Sequence, residues 1–286
     1  MALGISSPSS QDQQGQQGQQ CRHGLESNCE ADDVPEFSVR MPHLIHDPPP
    51  LERFPVPVRN ALMYLAGLDI PRDPRDPRGI AGTTLLGPPT GRALAQGLPT
   101  LVLDLDETLV HCRIECLNSP KHSFCIRFQE TSALGFVYVR PFAHLFLQIA
   151  ARLFEVVVFT ASSRAYADQV LDKLDPDNTC LSARLYRQHC TEVGGAFLKD
   201  MRRLGRPLSR VILVDNSPVS LALCPDNGVL VRGWTAERAQ DRELMDLLLL
   251  LNQCLQHGPC IPTFLEERYG LRHFLDSLRQ DDLGLI

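Results

Sequence analysis

The stretch Leu101-Val-Leu-Asp104-Leu-Asp106-Glu-Thr108-Leu-Val-His-Cys112 decides how the rest of the chain is read. An apolar run ends in two carboxylates one residue apart, and in an extended chain the intervening Leu105 points to the opposite side. Asp104 and Asp106 are thus expected to leave a strand on one side, at its carboxyl end, where open α/β sheets bind their ligands. Two anionic groups in such a place repel, and one pKa rises unless a cation intervenes. A divalent cation answers that conflict. A loop whose acid merely caps the next turn would account for one aspartate, not for the pattern that follows.

Two more apolar runs, Val156 to Phe159 and Val211 to Val214, read as buried parallel strands, and each ends in polar residues. The first continues as Phe159-Thr160-Ala-Ser162, the second as Val214-Asp215-Asn216-Ser-Pro218. Thr160 offers a hydroxyl and nearby backbone N–H groups to a phosphate oxygen, while Asp215 and Asn216 supply the oxygen atoms that Mg2+ prefers. Before the third run, in Phe197-Leu-Lys-Asp200, lies Lys199. The chain has 28 basic residues but lysine only at 121, 173 and 199. A compact ammonium suits one phosphate oxygen at a tight site better than a planar guanidinium does.

Outward from these strands, helical spacing covers Phe142 to Leu153, Ala165 to Leu174 and Asp241 to Leu255, and the alternation of Phe124, Ile126 and Phe128 before Phe136 to Val139 predicts a β-hairpin. The expectation is a three-layer α/β/α, Rossmann-like domain over residues 99–256, with a parallel central sheet, a hairpin insertion and no cap domain. Residues 1–57, with the Gln/Gly tract at 11–20 and three prolines at 48–50, cannot build a core and are predicted disordered. Residues 58–98 read as a short amphipathic helix (Val58 to Leu68) followed by a proline-rich linker, and 257–286 as a helical tail carrying Phe264, Leu265, Leu271, Phe274, Leu275 and Leu278 on its apolar side. Either end is a candidate contact for a regulatory partner.

With 286 residues and a formal charge of -6, the chain lacks the overall basic character of a general nucleic-acid binder. Ten cysteines in such a length, after an N-terminus with no signal-peptide pattern, point to free thiols in a reducing compartment. No run of 18 apolar residues marks a membrane span.

Taken in order, DLDET, FTAS, Lys199 and VDNSP resemble the four motifs of the haloacid dehalogenase superfamily. The longer strings LVLDLDETLVHC, VVVFTASSRAYAD, RLYRQHC, FLKDMRRLGRPLSRVILVDNSP and CPDN are similar to the small carboxy-terminal-domain phosphatases and the Dullard-type nuclear-envelope phosphatases. That resemblance implies a Mg2+-dependent protein serine/threonine phosphatase acting on a phosphorylated protein, of the RNA polymerase II tail or lipin type. Asp104 is then the nucleophile that forms an aspartyl phosphate and Asp106 the general acid and base, with Thr160 and Lys199 on the phosphoryl oxygens. Mg2+ falls to Asp104, the Asp106 carbonyl and Asn216, with Asp215 acting mainly through water. Arg187 is implied to steer the substrate, and Tyr166, Ile114 and Phe124 to shape an apolar pocket, although Ser163 stands where the family usually has an apolar residue. The resemblance also implies a nuclear or cytoplasmic site of action, or the surface of the endoplasmic reticulum or nuclear envelope.

A cysteine-based phosphatase needs an arginine six residues after the cysteine of an HC pair. After Cys112 and Cys190 the sixth residues are Asn118 and Ala196, so that route fails. The rival from another class is a phosphoprotein-binding module with little turnover.

Overall fold

The computed structural model describes residues 84–114, 122–128, 131, 133–193, 195–258 and 260–273. The Gln/Gly tract, the 58–68 helix and Phe274, Leu275 and Leu278 of the tail lie outside the described residues. A short helix α1 (Gly91–Gln96) leads into β1 (Thr100–Leu103), followed by β2 (Val110–Arg113), β3 (Phe124–Arg127), β4 (Leu134–Val139), α2 (Ala143–Leu153), β5 (Glu155–Phe159), α3 (Arg164–Leu174) and β6 (Ala183–Leu185). The chain continues through β7 (Thr191–Val193), β8 (Ala196–Leu198), β9 (Val211–Asp215), α4 (Pro218–Leu221), β10 (Gly228–Leu230), α5 (Glu243–His257) and α6 (Ile261–Tyr269).

The central sheet has the order β10-β9-β1-β5-β6, and every neighbouring pair is parallel. Its middle strands are buried along their whole length, which is why they appear in sequence as unbroken apolar runs. Alternate side chains feed two cores. Leu101, Leu103, Val156, Val158, Ile212 and Val214 face the apolar sides of α2, α3 and α5. Val102, Val157, Phe159, Val211 and Leu213 face the other way. The α/β architecture is as expected, but the second outer layer is thin: the four-residue α4, strand β8 and 3-10 turns close it through Leu198, Met201, Leu204 and Leu221.

The chain runs from β1 outward through β5 to β6 and then returns to the far side of β1 for β9 and β10. This reversal leaves a crevice at the carboxyl ends of β1 and β9, the place where such sheets take ligands. The predicted hairpin is a three-stranded antiparallel sheet, β2-β4-β3, because the segment after DLDET also pairs with β4. Gly135 in β4 is required by crowding: a Cβ there would stand 2.8 Å from the Phe128 ring and 2.9 Å from the Cys112 sulfur. Packing also begins ahead of Pro99, since Leu85 and Leu86 lie against the second core and Leu85 N–H donates to the Arg203 carbonyl. The tail helix α6 ends at Gly270 in the left-handed conformation, with Leu265 and Leu271 buried on either side of that stop. Among the described residues no helix is long and apolar enough to cross a membrane.

Candidate active site

Strand β1 ends one residue before Asp104, whose N–H donates to the Val214 carbonyl of β9 at 2.9 Å. The chain then turns, with Glu107 at φ 56°, so Asp104 and Asp106 share the strand end but their carboxylates face different partners. Expected as a pair on one side, they occupy two adjoining compartments.

The Asp104 compartment is buried. Lys199, arriving at the end of β8 and fully buried, donates from Nζ to Asp104 Oδ1 and to Asp215 Oδ2, each at 2.6 Å. The second Asp104 oxygen accepts from the Thr108 hydroxyl at 3.1 Å, and the same hydroxyl lies 3.4 Å from Asn216 Oδ1. Asp215 is held from the other side by the Ser217 N–H at 2.8 Å. Burial raises the Asp104 pKa most, Lys199 opposes it, and Asp215 and Asp106 add repulsion, with the net effect a carboxyl pushed up to about 7. Burial alone would depress the Lys199 ammonium, but Asp104 and Asp215 outweigh it and raise it, so the lysine stays charged.

In the other compartment Asp106 is partly exposed. Its Oδ1 accepts from the Tyr166 hydroxyl at 2.5 Å and its Oδ2 from Ser162 at 2.7 Å and Thr160 at 3.4 Å. Thr160 itself is buried at the end of β5 and accepts from the Ser162 N–H. Ser162 and Thr108 went unassigned in the sequence reading, although both lie inside the quoted motifs. Only their hydrogen bonds distinguish them from filler.

Among the described residues no three His, Cys, Asp or Glu side chains gather into a ready-made metal cage. The converging donors are instead a carboxylate oxygen of Asp104 and the amide oxygen of Asn216, in a compartment where two aspartates, Asp104 and Asp215, face a single ammonium. Oxygen donors with an excess of negative charge fit Mg2+. Asp215, held by Lys199 and the Ser217 N–H, lies across the same ammonium from Asp104.

The pocket residues separate. A cleft of about 140 Å3 is lined by Phe128, Ser163, Tyr166 and Gln169 among others. Tyr166 stacks on Phe128 with centroids 5.9 Å apart, and Phe128, which the sequence reading left in the hairpin, holds the position expected of Phe124. Phe124 opens β3 and Phe128 directly follows it, four residues on and about 13 Å away at strand rise. Ile114 projects 66% exposed from the end of β2 and joins neither. Arg187 sits at the rim, its guanidinium donating to the Ala161 carbonyl at 2.6 Å and lying over the Phe197 ring.

One buried cation was missed altogether. Arg140 grips Asp241 with two nitrogens and donates to the carbonyls of Thr108 and Arg232, joining the DLDET turn to the loop after β10. In that loop Gly233 lets the backbone approach Asn216, and the Trp234 N–H donates to the Glu107 carbonyl. An Arg-Pro at the end of a strand carries no signal for such a role in sequence.

The family model described as "NLI interacting factor-like phosphatase" matches residues 99–260. The chain is 44% identical over 152 residues to "CTD small phosphatase-like protein 2" of Dictyostelium discoideum, a match covering 53% of this chain and 26% of that protein. It is 39% identical over 174 residues to the human "Carboxy-terminal domain RNA polymerase II polypeptide A small phosphatase 2", covering 61% of this chain and 63% of the relative. The matched part is under two thirds of either relative's length. The solved structure of Fcp1, "an essential RNA polymerase II CTD phosphatase", aligns with a TM-score of 0.44 at 20% identity, over 68% of this chain and 55% of that one.

Proposed function

The chain belongs to the NLI interacting factor-like phosphatase family, and on that premise we propose that it is a Mg2+-dependent protein serine/threonine phosphatase working through an aspartyl phosphate. The observation that carries the reading is the division of labour between two neighbouring aspartates. Asp104 is buried and oriented by Lys199 and Thr108, as a nucleophile needs to be. Asp106 is reachable from solvent and held by three hydroxyls, the setting of a proton carrier.

In the first step an Asp104 oxygen bonds to phosphorus while the bond from phosphorus to the serine or threonine oxygen breaks, and Asp106 gives that oxygen its proton. In the second, Asp106 takes a proton from the water that attacks phosphorus, which releases inorganic phosphate and restores the Asp104 carboxylate. Lys199 and Thr160 neutralise charge on the phosphoryl oxygens, so most of the rate comes from positioning and electrostatics. Mg2+, held by Asp104, the Asp106 carbonyl and Asn216 with Asp215 behind them, would supply Lewis-acid charge compensation. The relatives' names concern an RNA polymerase II tail. For this chain we carry over the substrate class alone, a phosphoserine or phosphothreonine in an extended protein segment, because the described chain between Asp106 and Thr160 holds only the β2-β4-β3 sheet, α2 and β5, and that between Thr160 and Lys199 only α3, β6, a 3-10 turn and the β7-β8 hairpin. Arg187 at the rim is placed to meet such a segment.

The purified chain is expected to hydrolyse p-nitrophenyl phosphate with Mg2+, to stop with chelator, and to lose about a thousandfold or more in kcat with Asp104→Asn. A folded protein that shows no turnover, or an Asp104→Asn variant that keeps it, counts against the reading.

A further inference from the structure

The loop after β10 and the start of α5 enclose a second cleft, of about 670 Å3, whose charged lining residues are Arg232, Arg238, Asp241, Arg242, Glu243 and Asp246. Its charges do not cancel. Both Asp241 oxygens accept from the buried Arg140, and Glu243 is buried with Oε1 accepting from the Arg232 N–H. Glu243, on which the Arg232 charge acts, and Asp246 are the remaining acids, set against three guanidinium groups. Arg238 donates to the Gly233 carbonyl and so is fixed in place, while the exposed side chains of Arg232 and Arg242 have no hydrogen-bond or ion-pair partner among the described residues. Unpaired arginines on a concave wall bind carboxylate or phosphate oxygens well, because the planar fork matches both.

The cleft adjoins the reaction centre through the backbone. Arg232 immediately precedes Gly233, whose Cα hydrogens face Asn216 with room for no more than a tight Cβ contact of 3.2 Å. The loop is braced on its other side as well, by the ion pair of Glu237 with Arg113 of β2. The cleft wall at Arg232 and the Asn216 side of the crevice at Gly233 are thus one residue apart along the backbone.

We infer that the Arg232, Arg238 and Arg242 cleft is a substrate subsite that takes a second anionic side chain of the phosphoprotein, near the phosphoresidue being hydrolysed. This deepens the phosphatase reading and rests on it. The shared chemistry is an oxyanion, supplied by an acidic residue or by a second phosphoresidue. A membrane surface is the less suitable source, since the arginines line a recess and the chain as a whole is negatively charged.

The test measures binding of fluorescein-labelled phosphoserine peptides to the full chain carrying Asp104→Asn, which holds substrate without turning it over. The three peptides have neutral flanks, Asp/Glu flanks or a second phosphoserine. The anionic flanks are expected to tighten binding by about tenfold at low salt and by less at high salt. Arg232→Gln with Arg242→Gln should remove that gain while leaving the neutral peptide and the thermal midpoint unchanged. Preference for one anionic peptide over the other identifies the source. Equal binding of all three peptides, or a gain that survives the double substitution, overturns the subsite. In a parallel arm with phosphatidylserine vesicles, a loss on double substitution seen there and not with the anionic peptides overturns it too. Wild-type p-nitrophenyl phosphate hydrolysis, run in parallel, reports failure of the phosphatase reading separately.

Discussion

Asp106 shows how much of a catalytic group's behaviour lies outside its own motif. DLDET places the carboxylate, but its orientation depends on Ser162 and Tyr166, 56 and 60 residues further on. Tyr166 was expected as a wall of an apolar pocket, and its ring does line the small cleft, stacked on Phe128. Its hydroxyl has a second use that hydrophobic patterning cannot reveal. We expect Tyr166→Phe to lower kcat by about tenfold with KM little changed, the loss of one orienting hydrogen bond of roughly 1.4 kcal/mol. Steady-state kinetics on a phosphopeptide checks it; a change confined to KM would mean that the hydroxyl serves binding instead. Lys199, by contrast, was legible. A lysine in a chain with only three stands out against its arginines, and the sheet brings it to both Asp104 and Asp215.

Strands β1, β5 and β9 and helices α2, α3 and α5 were readable because each carries its period within itself, apolar throughout or at helical spacing. The short β6, β7, β8 and β10 were not. Three residues cannot show a period, and these strands exist because a neighbour offers a ladder. The third strand of the antiparallel sheet is a similar case: His111 and Cys112 carry no strand period of their own and are strand residues because β4 pairs with them. Gln169 of α3 closes the exposed edge of β3, its side-chain amide exchanging hydrogen bonds with the backbone of Arg127. Arg140 ties elements that are about a hundred residues apart. Replacing it with methionine leaves Asp241 buried without its cation and frees the Thr108 carbonyl, at a cost of about 3–5 kcal/mol. Denaturant unfolding should show that loss, and Asp241→Asn added to Arg140→Met should recover part of it. Full additivity of the two substitutions would mean that the pair is not coupled.

The far end of the sheet is closed by another buried pair, Arg206 with Glu155, which also receives the Thr100 hydroxyl and reaches the Gly87 carbonyl upstream of the domain. Burial works to raise the Glu155 pKa, but the Arg206 and Thr100 hydrogen bonds and the Arg206 charge prevail and lower it. A carboxyl lowered on folding stabilises the protein fully above its ordinary value near 4.5 and loses that contribution as the pH falls through the depressed one. Glu155→Gln is therefore expected to cost about 2 kcal/mol at pH 7, with the gap to wild type narrowing below pH 4.5. Urea unfolding at pH 7 and pH 4 tests the sign, and a gap that widens on acidification contradicts it. What the amino-acid order determined by itself was local: buried strands, the polar groups at their ends, the amphipathic helices and the motifs of the family. Tertiary structure decided which groups meet: the two compartments of Asp104 and Asp106, Phe128 rather than Phe124 beside Tyr166, and the arginine cleft at the start of α5. Periodicity is a property of neighbouring residues along the chain, whereas a hydrogen bond or an ion pair depends on where the sheet places groups far apart in it.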